Sequence, residues 1–211
     1  MKINIVKSAY ERNRSQAEEN HKILKNKNIR AIEILGPQGA GKTSIIEVLA
    51  TQLKNKYQVR VIAGDKTTTI DRDRILEKGV QSIQIETGTC HLDAFQIKKA
   101  LDEHQELLEG NLLIIENVGN PICPTEYTLG TDKRLVVISM ANGPFQIRKH
   151  PFLIKAADVT VINKIDLAEA LEYDPKDFAA EVRSLNPTTK IVLLSAKTGE
   201  GIPQLIKTLS L

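Results

Sequence analysis

Gly36-Pro37-Gln38-Gly39-Ala40-Gly41-Lys42-Thr43 decides the fold. The segment fits G-x-x-x-x-G-K-S/T, directly behind an apolar run at 31–35 and ahead of a helical pattern over 43–56. In such a loop the glycines let backbone N–H groups wrap phosphate oxygens, and the helix N-terminus adds positive potential. Gly36, Gly39, Ala40, Gly41, Lys42, Thr43 and Ser44 are therefore expected around phosphates. Lys42 should reach the β- and γ-phosphates, and the Thr43 hydroxyl should ligate Mg²⁺. The alternative, a glycine-rich turn that binds nothing, has no use for strand, helix and Lys-Thr together.

Outward from this loop, short apolar runs alternate with helical patterns. The runs at 31–35, 59–63, 82–85, 112–115, 135–139, 159–162 and 191–194 read as strands buried on both faces. Helices are expected over 43–56, 71–78, 93–109, 151–156, 175–185 and 202–209. Asp174-Pro175 is a helix start, an N-cap followed by Pro. The alternation predicts an α/β, three-layer P-loop NTPase fold: a mostly parallel sheet of about seven strands with helices on both faces. Ligands of such sheets bind beyond the carboxyl ends of the strands. The chain reads as one domain over 1–211, with 1–29 a helical extension that lies over the domain or serves as an interaction arm.

Asn163-Lys164-Ile165-Asp166 follows the run at 159–162. A carboxylate at Asp166 can accept both N1–H and the exocyclic N2–H of guanine, a donor pair that adenine lacks. Asn163 would bind the base edge or brace the loop, and the Lys164 stem would cover the ring. Ser195-Ala196-Lys197 closes the next strand, where a backbone N–H can meet guanine O6. GTP and GDP are thus the expected nucleotides. Asp65 and Glu116 end strands and can reach Mg²⁺ or its waters; Asp71 is a further candidate. With Lys42 and Thr43, Asp65 and Glu116 form the expected catalytic set. Gly119 could swing toward the γ-phosphate. No residue stands out as a general base, and phosphoryl transfer relies mainly on positioning and charge neutralisation.

Two cysteines remain. Cys90-His91 and Cys123 both follow strands, on the edge that carries the phosphate loop. Thiolates and imidazole are ligands that Ni²⁺ and Zn²⁺ favour. Buried structural cysteines are the plainer reading. Three ligands leave a tetrahedron open, and a symmetric dimer would bring a second set across its axis. His21 and His104 read as solvated helix faces, and His150 as structural.

Composition narrows the class. A net charge of +3 without a basic block, 4% aromatic residues and no Trp argue against a nucleic-acid partner. No apolar run reaches the ~18 residues of a membrane span, and the N-terminus has no signal-peptide core, so a cytoplasmic location is expected.

Taken together, these motifs resemble the archaeal type of the HypB family, the nickel-incorporation GTPases of nickel–iron hydrogenase maturation. The matching pieces are the Gly36–Thr43 loop, Gly64-Asp65 with Asp71, and Cys90-His91-Leu92-Asp93-Ala94. Glu116-Asn117-Val118-Gly119-Asn120 with Cys123-Pro124, Lys149-His150-Pro151 and the Asn163–Asp166 segment complete them. The resemblance implies a SIMIBI-class GTPase, GTP-dependent homodimerisation, and Ni²⁺ or Zn²⁺ at Cys90, His91 and Cys123 across the dimer. It also implies partnership with the zinc-containing nickel chaperone HypA, with metal passing toward the hydrogenase large subunit. Ala141-Asn142-Gly143-Pro144-Phe145 lacks the acid that the family carries after the 135–139 strand, and Asp71-Arg72-Asp73-Arg74 departs slightly from the family's usual segment. The His-rich or Cys-bearing N-terminal stretch of some members is not found. The related urease GTPase and a P-loop phosphotransferase are the competing readings.

Overall fold

A computed structural model of the chain describes residues 5–65 and 69–211. The first four residues of the expected 1–29 extension lie outside the described residues. The strands are β1 (Arg30–Leu35), β2 (Val59–Asp65), β3 (Gln81–Glu86), β4 (Leu112–Glu116), β5 (Lys133–Ser139), β6 (Val159–Asn163) and β7 (Lys190–Leu193). They form one sheet in the order β3-β2-β4-β1-β5-β6-β7, with every pairing parallel. Parallel neighbours need long crossovers. These carry α2 (Lys42–Leu53), α3 (Ile70–Glu77), α4 (Ala94–Glu103), α5 (Phe145–Lys149), α6 (Pro151–Lys155) and α7 (Pro175–Leu185); α1 (Ile5–Asn26) precedes the sheet and α8 (Ile202–Leu209) follows it.

Side chains alternate across each strand, so a strand buried on both sides must be apolar at every step. Leu112 and Ile114 of β4 face α2 and α8, in one core with Ile45, Ile46, Leu49 and Leu205. Leu113 and Ile115 face the opposite layer, with Leu24 of α1 and Ile97 and Leu101 of α4. Val136, Ile138 and Ile162 extend that second layer onto α6 and α7 through Leu153, Ile154, Phe178 and Val182. The expected sheet and both helical layers are present.

Three local expectations need correction. The helix expected over 93–109 ends at Glu103, and Gln105–Glu109 continues as a 3-10 turn. The Gln105 side-chain amide donates to the carbonyls of Leu101 and Asp102, the acceptors that a further α-helical turn would use. The N-terminal helix starts at Ile5, and its Ala17, Leu24, Asn13 and Asn20 are buried, so it lies over the sheet's helical layer. His21 therefore is not simply solvated: its Nδ1 lies 3.2 Å from the Gly130 carbonyl. Finally, α5 is an additional short helix, separated by His150 from α6, which opens with Pro151.

Candidate functional site

The carboxyl ends of β1, β2, β4 and β6 open into a cleft of about 750 Å³. Its walls come from the phosphate loop, from Asp65, Asp71 and Arg74, from the stretch 116–121, and from Cys90 and Lys164. At the loop's end Gly41 sits at φ 95, and a Cβ there would come within 2.3 Å of the Asn163 amide. Only glycine fits both the dihedral and the space. Gly119 approaches the loop from β4: a Cβ on it would meet the Gln38 backbone at 3.2 Å. The expected switch segment thus lies against the phosphate loop.

Oxygen donors converge behind the loop. The Thr43 hydroxyl stands 2.8 Å from Asp71 Oδ1 and 2.9 Å from Glu116 Oε1. Lys42 Nζ lies 3.9 Å from Glu116, and both side chains are buried. Burial pushes the Lys42 ammonium below its ordinary range, against the pull of Glu116, Asp71 and Asp65. Burial, with Asp71 adding repulsion, pushes the Glu116 carboxyl up to about 7 despite Lys42. A hydroxyl and two carboxylates within this reach are the donor chemistry that Mg²⁺ takes. Asp65 ends β2 and lines the same cleft. Asp71, like Glu116, touches Thr43, a closer placement than its position in the sequence suggested.

Arg74 was missed at the sequence level. It forms a two-pronged ion pair with Glu47, donates to the Ser44 hydroxyl at 3.2 Å and lies 3.7 Å from Asp71. Its signal was the three-residue spacing from Asp71, which places both on one face of α3.

The 163–166 segment is assembled by Asn163, which is buried at the end of β6. Its amide donates to the Ala40 carbonyl at 2.8 Å, and its Oδ1 accepts from the N–H groups of Lys164 and Ala196. Of the two roles open for Asn163, the structure shows the brace. Lys164 takes a left-handed conformation, φ 64 and ψ 39, and its Nζ donates to the Gly39 carbonyl at 2.8 Å. Asp166 is exposed in the turn that follows. Ser195 is buried and its N–H bonds the Glu200 carbonyl, so the turn at Ala196 and Lys197 is held beside Asn163.

The second constellation adjoins the first. Ligand atoms of Cys90, His91 and Cys123 all lie within 4.8 Å of one another, half-buried, and Cys90 also lines the nucleotide cleft. Among the described residues no other group of three or more His, Cys, Asp or Glu side chains converges in this way. Cys90 Sγ is 3.8 Å from His91 Nδ1. The His91 ring stacks on Tyr127, with centroids 3.9 Å apart, and burial pushes its pKa below the ordinary imidazole range. A neutral imidazole has a lone pair to give a metal. The hydrogen bond with Cys90, in which the Cys123 thiol keeps its proton, together with burial pushes the Cys123 thiol up.

Beneath the loops of Cys90-His91 and Cys123 runs a buried polar network. Arg134 of β5 pairs with the fully buried Glu33 of β1 at 2.9 Å and donates to the carbonyls of Pro124, Thr125 and Tyr127. Asn117 donates to Glu33 and accepts from the N–H groups of Leu92 and Val118. Burial pushes the Glu33 carboxyl up, and Arg134 and Asn117 oppose it. The chain directly after His91 and the chain directly after Cys123 are thus tied to the same carboxylate. Glu33 carries the sequence signal: a charge inside a strand that is otherwise apolar needs a partner.

The nucleotide-binding domain model of the CobW/HypB/UreG family matches residues 30–193. A relative from Methanocaldococcus jannaschii, described as a "probable hydrogenase maturation factor HypB", is 42% identical over 206 residues, covering 97% of this chain and 93% of its own. The chain belongs to the HypB family. The crystal structure of HypB from Archaeoglobus fulgidus superposes with a TM-score of 0.87 at 36% identity, covering 94% of this chain and 97% of that one. HypB from Helicobacter pylori, crystallised in complex with nickel, superposes with a TM-score of 0.88 at 31% identity, covering 94% of each chain. Membership agrees with the fold expected from the motifs and makes the chain a P-loop GTPase of the HypB type. Among the described residues no helix is long and apolar enough to cross a membrane.

Proposed function

We propose that the chain is a metallochaperone that binds Ni²⁺ and delivers it during nickel–iron hydrogenase maturation, with GTP hydrolysis setting when metal is held and when it is released. The observation that carries this reading is the shared wall: Cys90 belongs both to the nucleotide cleft and to the Cys90–His91–Cys123 cluster. In this reading, Gly36, Gly39, Ala40, Gly41, Lys42, Thr43 and Ser44 surround the phosphates. Asp166 pairs with guanine, the Lys164 stem covers the ring, and a backbone N–H of the Ala196–Lys197 turn meets O6. Asn163 keeps Asp166 in position.

Bound Mg²⁺ would neutralise charge on the β- and γ-phosphates. Thr43, Glu116 and Asp71 would hold it, with Asp65 reaching its waters. Water attacks the γ-phosphorus, the bond to the β-phosphate oxygen breaks, and GDP and phosphate result. Lys42 stabilises charge on the phosphate oxygens throughout. Gly119, against Gln38, would respond to the presence of the γ-phosphate. Ni²⁺ is cargo: Cys90, His91 and Cys123 supply three soft or borderline ligands, and Zn²⁺ suits the same set. A second copy of the chain would complete the coordination in a GTP-dependent homodimer. HypA as nickel-passing partner, the hydrogenase large subunit as eventual recipient, a cytoplasmic setting, and a single G domain over 1–211 with its helical extension complete the proposal.

Replacing Cys90 or Cys123 by Ser tests it. Each variant should lose tight Ni²⁺ binding in an equilibrium titration while its GTP hydrolysis persists. Tight binding retained in both would refute the shared site.

A further inference from the structure

The two ligand loops are far apart in sequence, and a helix of the N-terminal extension bridges them. Asn13 of α1 is buried at 3% exposure. Its amide donates to the Thr128 carbonyl at 2.9 Å, and its Oδ1 accepts from the Ala94 N–H at 2.8 Å. Ala94 is the first residue of α4, three positions after His91; Thr128 lies five positions after Cys123. Two turns along α1, Asn20 is fully buried and repeats the bridge, donating to the Ala94 carbonyl at 2.8 Å and the Leu129 carbonyl at 3.2 Å. One turn the other way, Tyr10 hydrogen-bonds Glu126 and packs on Tyr127 with centroids 5.1 Å apart. Tyr127 in turn stacks on His91.

These residues share one face of the helix. Asn13 and Asn20 are separated by two turns, and each joins the loop of Cys90 and His91 to the loop of Cys123. A buried amide that reaches two carbonyls, or a carbonyl and an N–H, on separate segments fixes the distance between those segments. Losing it leaves backbone groups unsatisfied in the interior. We infer that Asn13 and Asn20 are positioning residues of the metal site: helix α1 clamps the two ligand loops in register, so the thiolates and imidazole meet at binding distance. The inference rests on reading Cys90, His91 and Cys123 as the nickel-holding set. It gives the extension a role at the metal site and leaves the nucleotide machinery untouched, since none of the three α1 residues lines the nucleotide cleft.

The test is a Ni²⁺ titration of the full chain followed by the thiolate-to-nickel charge-transfer absorption. Asn13→Ala and Asn20→Ala should each weaken Ni²⁺ binding about tenfold and reduce or shift the band, while kcat for GTP hydrolysis stays at the wild-type value. Arg14→Ala, on the solvent side of the same helix, should leave both unchanged. A purely structural role would lower hydrolysis and metal binding together, and that result would overturn the inference. Should an Asn variant fail to fold, Tyr10→Phe removes only the hydroxyl bond to Glu126; it should weaken Ni²⁺ binding in the same direction, and unchanged binding would overturn the clamp. Wild-type protein that shows no cysteine-dependent band refutes the nickel reading itself. Wild-type binding with unaltered affinity in both Asn variants overturns the positioning role alone.

Discussion

At the scale of single residues, the segment proposed to read the base divides its labour by burial. Asn163 is buried and commits its donor and its acceptor to Ala40, Lys164 and Ala196. Asp166 is exposed, so its carboxylate is available to a ligand. Xanthine replaces the exocyclic amine of guanine with a carbonyl, so an amide at 166 matches xanthine where a carboxylate matches guanine. Asp166→Asn should therefore shift preference from GTP toward xanthosine triphosphate by at least about tenfold in a competition assay; unchanged GTP selectivity would sink the assignment. Motif spacing pointed to Lys42, Thr43 and Asp166, because the chemistry proposed for them depends on local geometry. It could not rank Asp71 against Asp65, since contact with Thr43 depends on how α3 docks beside α2, a tertiary fact. It left Asn163 between two roles for the same reason.

At the scale of elements, the Arg134–Glu33 pair couples β5 to β1 and reaches into the loop that carries Cys123. Removing one partner of a buried pair leaves an uncompensated charge, which costs about 3–5 kcal/mol. Arg134→Leu should lower the thermal midpoint by roughly 6–20 °C in a melt, given about 2–4 °C per kcal/mol for a chain of this size. Restoring neutrality with Glu33→Gln in the same chain should recover part of that loss. A single variant as stable as wild type would show that the pair carries no structural weight. Strands were legible from composition because both faces of the sheet are covered, which makes them continuous apolar runs. The break after Glu103 was not, because it depends on the Gln105 side chain competing with backbone donors for the Leu101 and Asp102 carbonyls. Nor was the depth of α1: its sequence looks polar, yet two of its asparagines are buried to bond backbone groups of distant loops.

At the scale of the molecule, parallel strand order brings every chemical residue to one edge. β1, β2, β4 and β6 end there with the phosphate loop, Asp65, Glu116 and Asn163, and the chain leaving β3 and β4 adds Cys90, His91 and Cys123. Glu116 and Asn117 are consecutive; one side chain faces Thr43 and the other holds the Leu92 N–H beside His91. On the proposed reading, a rearrangement of this strand end in response to the γ-phosphate would be felt at His91 through Asn117 and Leu92. Nucleotide state, on this reading, sets metal binding. That coupling is tested most directly by titrating Ni²⁺ into the full chain with a non-hydrolysable GTP analogue and with GDP, reading affinity and, by light scattering, mass. Different Ni²⁺ affinities in the two states are expected, with a dimer favoured by the GTP analogue. Equal affinity and equal mass in both would contradict the coupling.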